Sequence, residues 1–194
     1  FIRIVNAKLT GNGQTENGEV QNPDDFATYI SNPANIATSI DLTRQGTVND
    51  NRVCWEYVEY QGRAGGANEF IVRESGTVTY NPTGPTSFTA DTGVISGIVD
   101  DNDVVVFITG QDSKETTTKD WHAALSTSSW NAGTDTATFT RGDVDQDAND
   151  VSYSVVEFTG SNWKVQRAEI SNPTPGVTET VSITPVNSLA RTFL

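Results

Sequence analysis

Residues 53–62 read VCWEYVEYQG, and residues 151–160 read VSYSVVEFTG. At a spacing of 98, Val53 matches Val151, Trp55 matches Tyr153, and Val58, Glu59, Tyr60 and Gly62 match Val156, Glu157, Phe158 and Gly160. The correspondence continues outward in the same order. Leu42-Thr43-Arg44 matches Phe139-Thr140-Arg141, Asp25-Phe26 matches Asp120-Trp121, and NEFIVRE (68–74) resembles SNWKVQRAE (161–169). Chance can produce one such match, but hardly an ordered series. A period near 98 means tandem domains, because solenoid repeats run about 20–50 residues.

Each repeat has the pattern of strands. Ile40 and Leu42 alternate with polar residues in SIDLTR (39–44), as Ala137 and Phe139 do in DTATFTR (135–141). Period two marks a half-buried strand. DVVVFITG (103–110) is continuously apolar and predicts a central strand covered on both faces. GTVTYNP (76–82) alternates Val78 and Tyr80, then stops at Pro82. EFTGSNWKVQ (157–166) predicts two strands around a tight turn at Gly160-Ser161-Asn162. Only DDFATYI (24–30) and KDWHAAL (119–125) leave room for short helices. Turns every 8 to 12 residues and about seven strands per repeat predict an all-β fold of two tandem antiparallel β-sandwich units, Ig-like or jelly-roll-like. The expected division is 1–85, 86–175, and a surplus C-terminal strand over 176–194.

Composition narrows the partners. The net charge of −13 over 194 residues disfavours nucleic acid and anionic membrane, and no apolar run is long enough for membrane insertion. A single cysteine, Cys54, excludes an intrachain disulfide. Residue 1 is Phe and no signal peptide precedes it, so the expectation is a processed product or a piece of something longer.

The repeat is out of phase with the chain. FIRIVNAKLTGNG (1–13) corresponds to VVVFITGQDS (104–113), and only the second repeat has a strand before that point, in DTGVISGIVDDND (91–103). The segment TETVSITPVNSLARTFL (178–194) resembles residues 91–106, with Ser182-Ile183-Thr184 near Val94-Ile95-Ser96. Three arrangements satisfy this pattern. The chain is a fragment of a tandem array, or its end strand folds back on its own first unit, or that strand completes the first unit of another copy. The third is donor-strand addition, driven by the cost of an open sandwich edge, and it yields head-to-tail filaments. Val181, Ile183, Val186, Leu189 and Phe193 are then the inserted side chains.

Catalytic equipment is missing from the sequence pattern, and the expectation is a protein that is not an enzyme. His122 is the only histidine and aligns with Ala27, outside the shared framework. No nucleophile elbow, zinc spacing or phosphate-cradling loop appears. Glu59 and Glu157 are one position in two repeats, so they lie a domain apart rather than flanking one sugar bond. A salt bridge to Arg44 and Arg141, which also recur once per repeat, is the expected role. In GDVDQDAND (142–150), Asp143, Asp145, Asp147 and Asp150 have the alternation of a calcium loop. The sixth position is Ala148 rather than Gly, and the twelfth is Ser154 rather than Glu, so Ca²⁺ stands against a solvated acidic loop. VDDNDV (99–104) is a second acidic turn. Of four tryptophans, Trp130 lacks an aromatic counterpart in the other repeat and is the residue to display for a surface glycan.

At VVEFTGSNWKVQR (155–167) the sequence resembles tandem β-sandwich modules of bacterial and phage surface proteins, such as adhesins, tail fibres and extracellular filaments. The resemblance implies a location outside the cell or on a virion, and a structural role. It leaves two functions: a subunit that self-assembles with copies of itself, or a carbohydrate-binding adhesin module.

Overall fold

The computed structural model describes residues 2–9, 28–34, 38–44, 51–80, 89–112, 125–141, 149–168, 180 and 182–186. Ten strands appear among them: β1 (Ile2–Leu9), β2 (Tyr29–Ile30), β3 (Leu42–Thr43), β4 (Asn51–Tyr57), β5 (Ile71–Thr79), β6 (Thr89–Asp91), β7 (Val104–Gln111), β8 (Ser126–Asn131), β9 (Thr136–Arg141) and β10 (Asp150–Glu157). All paired strands are antiparallel, and the described residues contain no α-helix. The protein is all-β.

Two three-stranded sheets, ordered β5-β10-β7 and β6-β9-β8, enclose the main core. Val78, Val104, Val151, Tyr153 and Val155 come from the first sheet, and Ala137 and Phe139 from the second. Ile95 and Tyr80 complete this cluster. Val151, Tyr153 and Val155 are every second residue of β10, so the pleat alone aims them at one face. Phe139 lies against Tyr153 with ring centroids 5.2 Å apart. Arg141, though buried, is carried at 4.7 Å over the Tyr80 ring, which favours a cation.

The central strand is β10, not β7. All eight residues of β10 are buried, whereas β7 is only half-buried over Val105–Ile108. Apolarity misplaces the centre because β10 buries serines that have partners: Ser154 bonds Ser75 at 2.8 Å, and Ser152 accepts from the Thr109 hydroxyl at 3.1 Å. A buried hydroxyl is tolerated when bonded.

Two further expectations are corrected. The segment 24–30 ends in extended chain rather than helix: Thr28 bridges to Gln111, and Tyr29–Ile30 pairs with β3. The hairpin expected over 157–166 keeps its turn, with the Trp163 N–H donating to the Gly160 carbonyl at 3.1 Å, but loses its second strand. The far edge of β10 is already taken by β5. That pairing crosses the expected division at residue 85. The chain leaves β4, runs through 60–70, and lays β5 along β10.

The strand pairs repeat as the sequence does. In β1–β4, Ile2 faces Tyr57, Ile4 faces Trp55 and Asn6 faces Cys54, with Val5 skipped. In β7–β10, Val106 faces Val155, Ile108 faces Tyr153 and Gly110 faces Ser152, with Thr109 skipped. The bulge falls at the same place in both. Likewise Ile30 faces Leu42 in β2–β3 as Ser128 faces Phe139 in β8–β9.

Candidate functional site

The repeat fails at one place, and that place is a groove. Among the described residues β4 has a single partner, β1, whereas its counterpart β10 is flanked by both β7 and β5. No described strand lies beside β3 in the way β6 lies beside β9. The result is an open groove of about 650 Å³ lined by Thr38, Ser39, Ile40, Leu42, Trp55, Tyr57 and Glu59.

These lining residues are the first-half counterparts of the second-half core. Leu42, Trp55 and Tyr57 are 38%, 50% and 49% exposed, while Phe139, Tyr153 and Val155 at the matching positions are 0%, 4% and 0% exposed. Isolated exposed apolar residues are ordinary, but a contiguous apolar patch on a sheet edge marks a contact surface. In the second half the corresponding space holds Ile95, whose N–H donates to the Asp135 carbonyl at 2.8 Å. Asp135 corresponds to Thr38 at the mouth of the groove.

Glu157 defines what the far end of such a site does. Its carboxylate accepts from Arg73 Nε at 2.7 Å and Nη2 at 2.6 Å, and from the backbone N–H groups of Val99 and Asp100 at 2.9 and 2.7 Å. The expected salt bridge from Glu157 to Arg141 is therefore corrected: Arg141 sits on the opposite sheet over Tyr80. Arg73 reaches Glu157 because it is the bulged residue of β5, skipped between the pairs Val155–Glu74 and Val156–Val72. A bulge re-aims the side chain it carries. Glu59, the matching carboxylate, is exposed at the groove and accepts from the Gln61 amide at 3.2 Å.

Burial governs the titration of the surrounding groups. It raises the Tyr153 hydroxyl well above its ordinary value, and a hydrogen bond to the Glu74 carboxylate adds to the rise. Burial also raises Tyr80. Asp103 is raised by burial first and then by the charges of Asp100 and Glu157.

The residues singled out from sequence fall in several places. Ile183 is 62% exposed, although its counterpart Ile95 is 1% exposed in the core. The backbone of the next residue, Thr184, is held by one side chain: its N–H donates to Gln166 Oε1 at 2.6 Å, and its carbonyl accepts from Gln166 Nε2 at 2.9 Å. A side-chain amide thus occupies the groups a neighbouring strand would use. Val186 is half-buried, and Val181, Leu189 and Phe193 lie outside the described residues. Trp130 packs against the core cluster and donates its indole N–H to Asp101 at 2.8 Å. Asp150 is buried and accepts from the Thr79 hydroxyl; Asp143, Asp145 and Asp147 lie outside the described residues. The second acidic turn is a 3-10 turn (Asp101–Asp103) whose cap, Asp100, accepts from the Asn102 N–H at 2.9 Å. Among the described residues no three His, Cys, Asp or Glu side chains gather as a metal cluster, and no helix is long and apolar enough to cross a membrane.

No family model, no curated protein and no solved structure matches this chain.

Proposed function

We propose that this protein is an extracellular structural subunit that assembles head to tail by strand complementation. On this reading the chain holds two tandem sandwich units. The second is closed by β5 and β6, and the first is closed by the 178–194 segment of another copy. The observation that carries it is the paired contrast between Leu42, Trp55 and Tyr57 in the open and Phe139, Tyr153 and Val155 in the core. The same protein builds the groove twice and fills it once.

The incoming segment brings the right chemistry. Its Ile183 corresponds to Ile95, the residue that fills the second-half core. Val181, Ile183, Val186, Leu189 and Phe193 at about 1.5 to 3 kcal/mol each give a gross gain of about 7 to 15 kcal/mol before ordering costs. Backbone pairing along β3 adds direction and closes its open edge. A second copy is preferred to a fold-back within the chain because Ile183 stands exposed while the groove stands open.

Negative-stain electron microscopy of the purified chain and of a variant lacking 178–194 tests the proposal. Filaments are expected from the first and dispersed particles from the second. Filaments from the truncated chain would overturn it.

A further inference from the structure

Resting on that reading, we propose that Gln166 is a positioning residue that brackets the donor segment and holds it ready for insertion into another copy. A glutamine side chain carries an N–H donor and a carbonyl acceptor in one plane, as a peptide group does. Gln166 spends both on a single residue. Thr184 N–H donates to its Oε1 at 2.6 Å, and its Nε2 donates to the Thr184 carbonyl at 2.9 Å. Antiparallel strands join in the same manner, with both backbone groups of one residue bonded to the partner. Among the described residues these two are the only hydrogen bonds of the stretch 182–186.

The bracket has a fixed end. Arg167, the next residue, donates from its guanidinium to the carbonyls of Val104 and Asp101, the latter at 2.6 Å. Val104 opens β7 and belongs to the second-half core. Gln166 is thus anchored to the body of the second half, and Thr184 hangs from it. Ile183, one residue before Thr184, is the side chain to be inserted, and it is exposed.

The filled half joins the same two stretches. Phe70-Ile71-Val72-Arg73 runs with Trp163-Lys164-Val165-Gln166 at a spacing of 93, and Ile95-Ser96-Gly97 runs with Ile183-Thr184-Pro185 at a spacing of 88. Gln166 therefore matches Arg73, and Thr184 matches Ser96. In the second half Arg73 lies beside the chain that follows Ile95: a Cβ on Gly97 would be 3.5 Å from Arg73 Nη1. Glu157 takes the Arg73 guanidinium on one side and the N–H groups of Val99 and Asp100 on the other. The two stretches that Glu157 joins where the groove is filled are joined by Gln166 in the free chain. A segment whose parts are already together loses less freedom on binding, and preorganisation of this kind raises affinity.

Full-length Gln166→Ala and Gln166→Glu are compared with the wild-type chain. In dilute, unassembled protein, the Thr184 amide is expected to exchange hydrogen faster in Gln166→Ala, with the urea midpoint unchanged. Sedimentation velocity over a concentration series is expected to show assembly weakened about three- to tenfold in that variant. Gln166→Glu keeps the acceptor for the Thr184 N–H and loses the donor to its carbonyl, so its assembly is expected to fall between the two. Equal Thr184 exchange in wild type and Gln166→Ala would overturn the bracket. So would assembly of Gln166→Ala equal to wild type, or stronger, as for a latch that restrains the segment; strand complementation would then stand alone. If wild type remains monomeric at every concentration, both fall together.

Discussion

Trp55 faces Ile4 across β1–β4 as Tyr153 faces Ile108 across β7–β10, with one residue skipped beside each pair. The pairing on this one edge is the same, yet half of Trp55 is in solvent and Tyr153 is in the core. What differs is the neighbour. β5 and the Ile95 segment cover the second pair, and nothing described covers the first.

Truncations at matched positions should therefore have unmatched costs. In dilute, unassembled protein, Phe139→Ala is expected to lower stability by about 3 to 5 kcal/mol, the usual range for a buried phenylalanine. Leu42→Ala, at the matching exposed position, is expected to cost under about 1 kcal/mol. Urea denaturation reads both. Equal costs would mean that the groove is already filled within the chain.

The two carboxylates should separate in the same way. Glu157→Gln weakens a buried ion pair and is expected to cost about 3 kcal/mol. Glu59→Gln should leave the urea midpoint of the dilute chain unchanged and weaken assembly, since the incoming segment then meets a neutral amide oxygen in place of the charged acceptor that Glu157 offers to Val99 and Asp100. Sedimentation of the Glu59 variant at assembling concentrations checks the second part.

Asp103 provides a pH signature. Its folded-state carboxyl is raised by burial, then by Asp100 and Glu157, with Arg167 opposing. The folded chain thus holds this proton more tightly than the unfolded chain. The contribution to stability is complete below the ordinary carboxylate range near pH 4 and is lost as pH rises through the elevated folded value. Asp103→Asn is expected to raise the thermal midpoint at pH 7 and to give no gain at pH 3. A midpoint at pH 7 equal to wild type would contradict the assignment.

The sequence made the strands and their repetition legible because alternation and spacing are local properties. Val53/Val151 and Leu42/Phe139 align in sequence, and their strands pair in the same register. The partner of β5 was not legible. Nothing local in RESGTVTY distinguishes pairing with β4 from pairing with β10, and the handover depends on the long connection through 60–70. The role of Arg73 escaped for a related reason: a bulge, not the alternation, turns it to Glu157. Trp130 lacks an aromatic counterpart in the other repeat, and no spacing reveals that its indole N–H bonds a carboxylate on a distant turn. The groove could be anticipated only as an imbalance between the ends of the repeat, and its lining became visible once Leu42, Trp55 and Tyr57 were seen on one surface.

Hydrogen–deuterium exchange on residues 38–42, the stretch leading into β3, addresses the central idea most directly. The chain lacking 178–194 is mixed with a synthetic peptide of those residues, and the amides of 38–42 are followed. Strand complementation predicts protection of this stretch at saturating peptide, with little change in β9, which already has both neighbours. Unaltered exchange over 38–42, with or without peptide, would contradict it.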